Sequence, residues 1–195
     1  NSVGYTREDG GLWEYPLVGD EIRADGYVYT SSNIRFSVQN QAGLIPINTA
    51  NQYWLRLWLS AEGYTLAEQT RLTAVLVDYL DGDDRLQPGG REQSEESPGN
   101  YLAQRCQDLG RIEEWRAVIE SRPEFLEFCS LSRRGEMNLN AVPESLWRTL
   151  WPKSADAVIA ARKQGVWISS TRPVLDFAPG LIVIPAELYN RLGGE

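Results

Sequence analysis

The sequence predicts an α+β protein, with a strand-rich N-terminal part followed by a larger helical part. Two observations carry that prediction. Apolar residues alternate with a period of two up to about Asn48, and beyond it they fall at helical spacing. A third observation organises the helices. Residues 45–59, "IPINTANQYWLRLWL", and residues 137–151, "MNLNAVPESLWRTLW", say nearly the same thing. Each sets an apolar residue, an Asn and two small residues before a segment rich in Trp and Leu.

The strand block covers residues 12–48. "LWEYPLV", "GYVYTSS" and "IRFSVQ" are β-branched and aromatic. Turn signals at Gly19-Asp20, Asp25-Gly26 and Gln41-Ala42-Gly43 separate them. Ile34, Phe36 and Val38 alternate with Arg35, Ser37 and Gln39, which predicts a strand with one buried face.

Helices follow. Tyr53, Trp54, Leu57 and Trp58 share one helical face, and Gly63 is a stop signal. "TLAE" then predicts a capping box, with Thr65 as cap and Glu68 reaching back. Leu66, Leu72, Val75, Leu76, Tyr79 and Leu80 extend the next helix to about Asp81-Gly82. Residues 82–100 are polar and rich in Gly and Pro, a long loop that is functional, metal-ordered or mobile. Ile112, Trp115, Val118 and Ile119 restart a helix. A second capping box, "SRPE", is expected to open another at Ser121, with Pro123 in its first turn. After the second Asn-led segment, a helix is predicted from Ser154 to about Gln164. Residues 181–184, "LIVI", are a short strand candidate.

The echo predicts a repeated unit: a strand-like step ending at Asn48 or Asn140, a helix, a turn and a second helix. Asn suits that junction because its side chain can accept from an unpaired N–H of a helix's first turn. Trp54, Trp58, Trp147 and Trp151 fall at matching places in the two copies, and they are expected in the core.

Composition narrows function. The net charge of −8 works against phosphate backbones and anionic membrane surfaces, so no nucleic-acid partner is expected. The two Asn-led units superficially suit a helix-hairpin-helix nucleic-acid binder, but neither Gly63 nor Lys153 sits in a Gly-x-Gly hairpin. There is no histidine. That removes the usual general base and the Ser-His and Cys-His nucleophile pairs, and no catalysis is expected. The only cysteines, Cys106 and Cys129, match neither a zinc site nor a CxxC motif. They form one disulfide or remain two buried thiols.

Four acids gather at one helix end, Asp78, Asp81, Asp83 and Asp84, and Glu92 follows a Gly-rich turn. Oxygen-rich sets of this kind suit Ca²⁺. Set on an EF-hand loop starting at Asp81, Asp83 and Glu92 fall on ligand positions, but Arg85 replaces a ligand and Leu86 the obligatory glycine. An EF-hand is therefore rejected. A calcium site of another kind and a solvated acidic loop both remain.

Several stretches together resemble the K-type minor pseudopilins of bacterial type II secretion systems. "LIPINTA" (44–50) is similar to that family's apolar-Asn-Thr-Ala step. "LVDYLDGDDRLQPGGRE" (76–92) resembles its aromatic, Asp-rich segment with a following Gly-rich turn and acid, with Tyr79 as the aromatic. Tyr101 stands where the family often has Tyr, and "DLGRIEEWRAV" (108–118) resembles its next helix. "MNLNAVPESLWRTL" is similar to the second Asn-led step, with Ala141 for Thr and Val142 for Ala. The likeness spans about residues 43–165.

That resemblance implies a pilin-like antiparallel sheet with a large all-helical domain inserted into it. Residues 1–48 and 133–195 would form the pilin-like part, containing the second Asn-led unit at 137–165, and 49–132 the insert. It implies a hydrophobic N-terminal helix, outside this sequence, anchoring the protein in the inner membrane with its body in the periplasm. It further implies I-type and J-type minor pseudopilins as partners at a filament tip. Family members can hold calcium in the helical domain, so Asp78, Asp81, Asp83, Asp84 and Glu92 become candidate ligands. The exported setting favours a Cys106–Cys129 disulfide.

Overall fold

A computed structural model describes residues 23–31, 33–83, 85–91 and 101–164. Its strands are β1 (Asp25–Ser31), β2 (Ile34–Gln39), β3 (Ile45–Pro46) and β4 (Cys129–Ser130). Its helices are α1 (Tyr53–Ala61), α2 (Leu66–Leu80), α3 (Glu113–Ser121), α4 (Phe125–Phe128), α5 (Glu144–Leu150) and α6 (Ala155–Lys163). They form two compact units, one from residues 23–44 and 136–164, the other from residues 45–135. Among the described residues no helix is long and apolar enough to cross a membrane.

In the first unit β1 and β2 pair antiparallel as a hairpin, with Val28 opposite Ser37 and Tyr29 opposite Phe36, and the turn expected at Asp25-Gly26 instead lies within β1. The ladder is irregular between Asp25 and Val28, where Gly26 takes a φ of +79° that a side chain would strain. The buried face predicted for β2 is not seen. Ile34 is 65% exposed and Phe36 42%, with Phe36 stacked on Tyr29 at 5.2 Å between ring centroids. Alternation identifies side chains that share a face, and it does not supply the layer that would cover them. The predicted strands at 12–18 and 181–184 lie outside the described residues.

Two short 3-10 turns, Gln41–Gly43 and Leu139–Ala141, are alike. Each is preceded by an Asn (Asn40, Asn138) whose side-chain oxygen accepts the N–H two residues on, at 2.9 and 3.0 Å. They lie together: the Asn138 N–H donates to Ala42 O at 2.7 Å, and a Cβ on Gly43 would overlap the Ala141 carbonyl. α5 and α6 follow, with the rings of Trp147 and Trp151 4.4 Å apart and both buried. Arg162 of α6 is 1% exposed and pairs with Asp25, which also pairs with Arg23. Its Nη1 donates to Val142 O at 2.7 Å. One buried carboxylate thus ties the start of the hairpin to the last described helix.

In the second unit the capping box forms as predicted: Glu68 N–H donates to Thr65 Oγ1 at 3.3 Å, and Thr65 N–H to Glu68 Oε2 at 2.7 Å. Gly63, with φ +87°, makes the turn between α1 and α2. The box predicted at Ser121 does not form. α3 runs through Ser121, whose hydroxyl bonds back to Val118 O at 3.0 Å, and α4 begins four residues later with no side-chain cap. Trp54, Trp58, Trp115 and Phe125 are fully buried. Phe125 lies between Trp58 (4.4 Å) and Trp115 (5.4 Å), and Trp115 Nε1 donates to Leu72 O at 2.9 Å.

The two Asn-led segments share the order helix, turn, helix, but their Asn residues are not helix caps. Asn140 lies inside the second 3-10 turn, and Pro143 holds the cap position of α5. Asn48 lies ahead of α1, whose cap position is Gln52, a residue that makes no side-chain capping bond. It instead reaches across the unit. Its Oδ1 accepts the Ala103 N–H and its Nδ2 donates to Ala103 O, both at 2.9 Å, and Nδ2 also lies 3.3 Å from Leu131 O. Beside it β3 pairs with β4 in parallel, and Cys129 of β4 forms the disulfide with Cys106.

Replacing Asn48 by Ala would leave one N–H and two carbonyls short of partners. At about 1–3 kcal/mol for each unsatisfied buried group, the loss should be about 3 kcal/mol or more in urea unfolding. A loss under about 1 kcal/mol would show that water replaces the amide. Opening the disulfide with the Cys106→Ala, Cys129→Ala pair should cost about 3 kcal/mol by loop entropy, read as a lower midpoint in the same titration, and an unchanged midpoint would refute it.

Candidate functional site

The acidic end of α2 holds two buried carboxylate oxygens without hydrogen-bond partners. α2 buries the face bearing Leu72, Val75, Leu76 and Tyr79, and Asp78, three residues beyond Val75, falls on it. Asp78 is fully buried. Its Oδ1 accepts the Gln87 N–H at 3.0 Å, and its Oδ2 has no hydrogen-bond partner. Asp81 ends the helix, its N–H donating to Val77 O at 2.8 Å, and its buried Oδ1 has no hydrogen-bond partner either.

The following loop folds back over this end. Asp83 Oδ1 accepts the Arg85 N–H at 2.8 Å, which tightens the exit. Gly90 N–H donates to Gln87 O at 2.8 Å, closing a turn in which Gly89 has φ +84°. Gly90 then lies against Asp78 so closely that a Cβ there would overlap Oδ2. Arg91 leaves the loop for the first turn of α3, its guanidinium 3.2 Å from both Glu113 and Glu114. Glu114 also pairs with Arg71 of α2 at 3.2 Å. On the flank, Arg111 donates to the Tyr101 hydroxyl at 3.0 Å, and the Tyr79 and Tyr101 hydroxyls are 3.4 Å apart.

Of the predicted ligands the structure brings Asp78 and Asp81 together, with Asp83 near enough for its charge to act on Asp81. Asp84 and Glu92 lie outside the described residues. Among the described residues no group of three or more His, Cys, Asp or Glu is set to hold a metal ion. Burial, and then the negative charges of Asp83 and Asp78, push the Asp81 carboxyl above its ordinary range, outweighing a backbone hydrogen bond from Asp83 that lowers it. A buried carboxylate oxygen without a donor demands a positive charge or a proton, since desolvation otherwise costs several kcal/mol. Two such oxygens at one helix end fit a hard, oxygen-seeking cation.

The sequence reading missed Gln87, Gly90, Arg91, Glu113 and Glu114. The Gly89-Gly90 pair was the available signal, because two adjacent glycines mark a close backbone approach. Nothing in the local sequence announces that Arg91 crosses to α3.

A scan against protein-family models and a search of curated proteins both gave no match.

Asp81 sets a pH dependence for the metal-free protein. Its folded pKa is raised, so its contribution is fully present below the unfolded carboxylate value and is lost as pH rises through the raised folded value. Asp81→Asn removes that loss. The variant should therefore gain melting temperature over the parent at pH 7 in chelator, and the gain should vanish near pH 3. An equal difference at both pH values would show that the Asp81 charge is not involved.

Proposed function

We propose that the chain is the periplasmic body of a K-type minor pseudopilin. On this reading it acts by shape and docking, with I-type and J-type minor pseudopilins as partners. It starts filament assembly at the tip of the type II secretion pseudopilus, and its bulky helical part stops further growth beyond the tip. A hydrophobic N-terminal helix outside this sequence would anchor it in the inner membrane, and no substrate bond is made or broken.

One observation carries the reading. The mostly helical unit, residues 45–135, interrupts the chain of a unit whose described residues hold an antiparallel hairpin before the interruption and α5 and α6 after it. That interleaving supports the reading of a helical domain inserted into a pilin-like fold. The quoted motifs add to it: the 44–50 stretch opens the interruption, and the 137–150 stretch follows its close. The disulfide suits an oxidising compartment.

The reading includes calcium at the end of α2, with Asp78 and Asp81 as ligands and Asp83, Asp84 and Glu92 as the remaining candidates. The donor-less oxygens of Asp78 and Asp81 support it. The ion would bind the folded state alone and stabilise it by mass action.

Two measurements test these claims. Co-expressed with I-type and J-type minor pseudopilins, the chain should co-purify as a ternary complex, and failure to associate with either removes the pseudopilin reading. Calcium at 100 times its dissociation constant should add about 2.7 kcal/mol, seen as a raised melting temperature that Asp81→Ala abolishes. A melting curve unmoved by excess calcium removes the metal.

A further inference from the structure

The loop after α2 makes a contact outside the candidate ligand set. The loop leaves the helix at Asp81, and Gln87 and Gly90 return to the two oxygens of Asp78. Arg91 then fixes the returning end by forking across two carboxylates of α3, Glu113 and Glu114. Glu114 is the node: its side chain is 12% exposed, and it is shared with Arg71 of α2. α2, the loop and α3 therefore meet at one carboxylate, a planar guanidinium spanning the gap as its fork geometry allows.

From this geometry we infer that Arg91 is a positioning residue for the cation site. By stapling the loop to α3 it holds Gln87 and Gly90 against Asp78 before the ion arrives. The inference rests on the calcium reading given above and adds a regulator to it. A loop held in its bound conformation loses less freedom on binding, so the ion's affinity rises without any new ligand. Its positive charge is offset locally by Glu113 and Glu114, so closure does not place an unbalanced cation next to the site.

The inference has a diagnostic sign. Simple charge counting says that removing an arginine near a cation site strengthens binding, because one like charge is gone. The staple says that it weakens binding, because the loop must then be ordered by the ion.

The test is calcium titration by calorimetry on the full chain, comparing wild type with Arg91→Ala and Arg91→Lys. Amide hydrogen exchange over residues 85–91 is followed in chelator and at saturating calcium. Arg91→Ala should bind calcium about three- to tenfold more weakly, the size expected from two partly exposed ion pairs. Its loop amides should exchange faster in chelator and match wild type once saturated. Arg91→Lys should recover part of the affinity. Calcium binding that is unchanged or tighter in Arg91→Ala overturns the staple while leaving the calcium reading intact. A wild type that binds no calcium overturns both.

Discussion

Three stretches that are distant in sequence converge on the side chain of Asn48, and the second unit depends on that convergence. Residues 45–48, 103–106 and 129–131 are each too short to hold a conformation alone, and β3 and β4 pair through only two residues apiece. The Asn48 amide satisfies both backbone groups of Ala103 and one of Leu131, which neither a hydrophobic side chain nor a shorter polar one could do. The disulfide closes the same triangle covalently. Around it stand helices of four to fifteen residues. Isolated helices of such length are marginal in water. They persist because Trp58, Trp115 and Phe125 pack as one cluster, and the clasp at Asn48 fixes the ends of the chain that carries them.

The first unit solves a similar problem with charge. Its hairpin exposes much of its apolar surface, and a two-stranded sheet is weakly stable by itself. Asp25 at the start of the hairpin is held by Arg162 from α6 and by Arg23. Burial works to raise the Asp25 carboxyl, and the two guanidiniums more than offset it, leaving it below the usual carboxylate range. Two buried cations on one carboxylate is an arrangement in which loss of the acid strands both partners. Order in this unit thus rests on an ionic contact between residues 137 positions apart, beside the close packing of the two Asn-led turns.

What was legible in the sequence was whatever is local. The capping box at Thr65 could be read because both partners lie within one turn. The strand at 34–39 was legible from its alternation, though its pairing with β1 was not. Ser121 was misread because the same residues can close one helix or open the next, and packing decides which. Asn48 was misread more instructively. Its position before a helix matches a cap, yet its partners are 55 and 83 residues away, and no local rule finds them. The acidic cluster was visible as composition, but not its inequality. Asp78 is buried because it continues the apolar face of α2, a signal present in the spacing from Val75, whereas Asp83 is exposed and is used for loop closure.

That inequality bears on what the acidic end is for. A surface loop serving only solubility gains nothing from burying a carboxylate, since desolvation raises the cost of every ionised group taken out of water. Here the chain buries Asp78, leaves one of its oxygens without a hydrogen-bond donor, and presses a glycine backbone against that oxygen. It then places Asp81, also short of a donor, in the repulsive field of Asp78 and Asp83. Together these features make sense if a cation completes the site, because the repulsion between carboxylates then becomes shared attraction to one charge. Such an ion would act on structure, tying the end of α2 to a loop that already reaches α3.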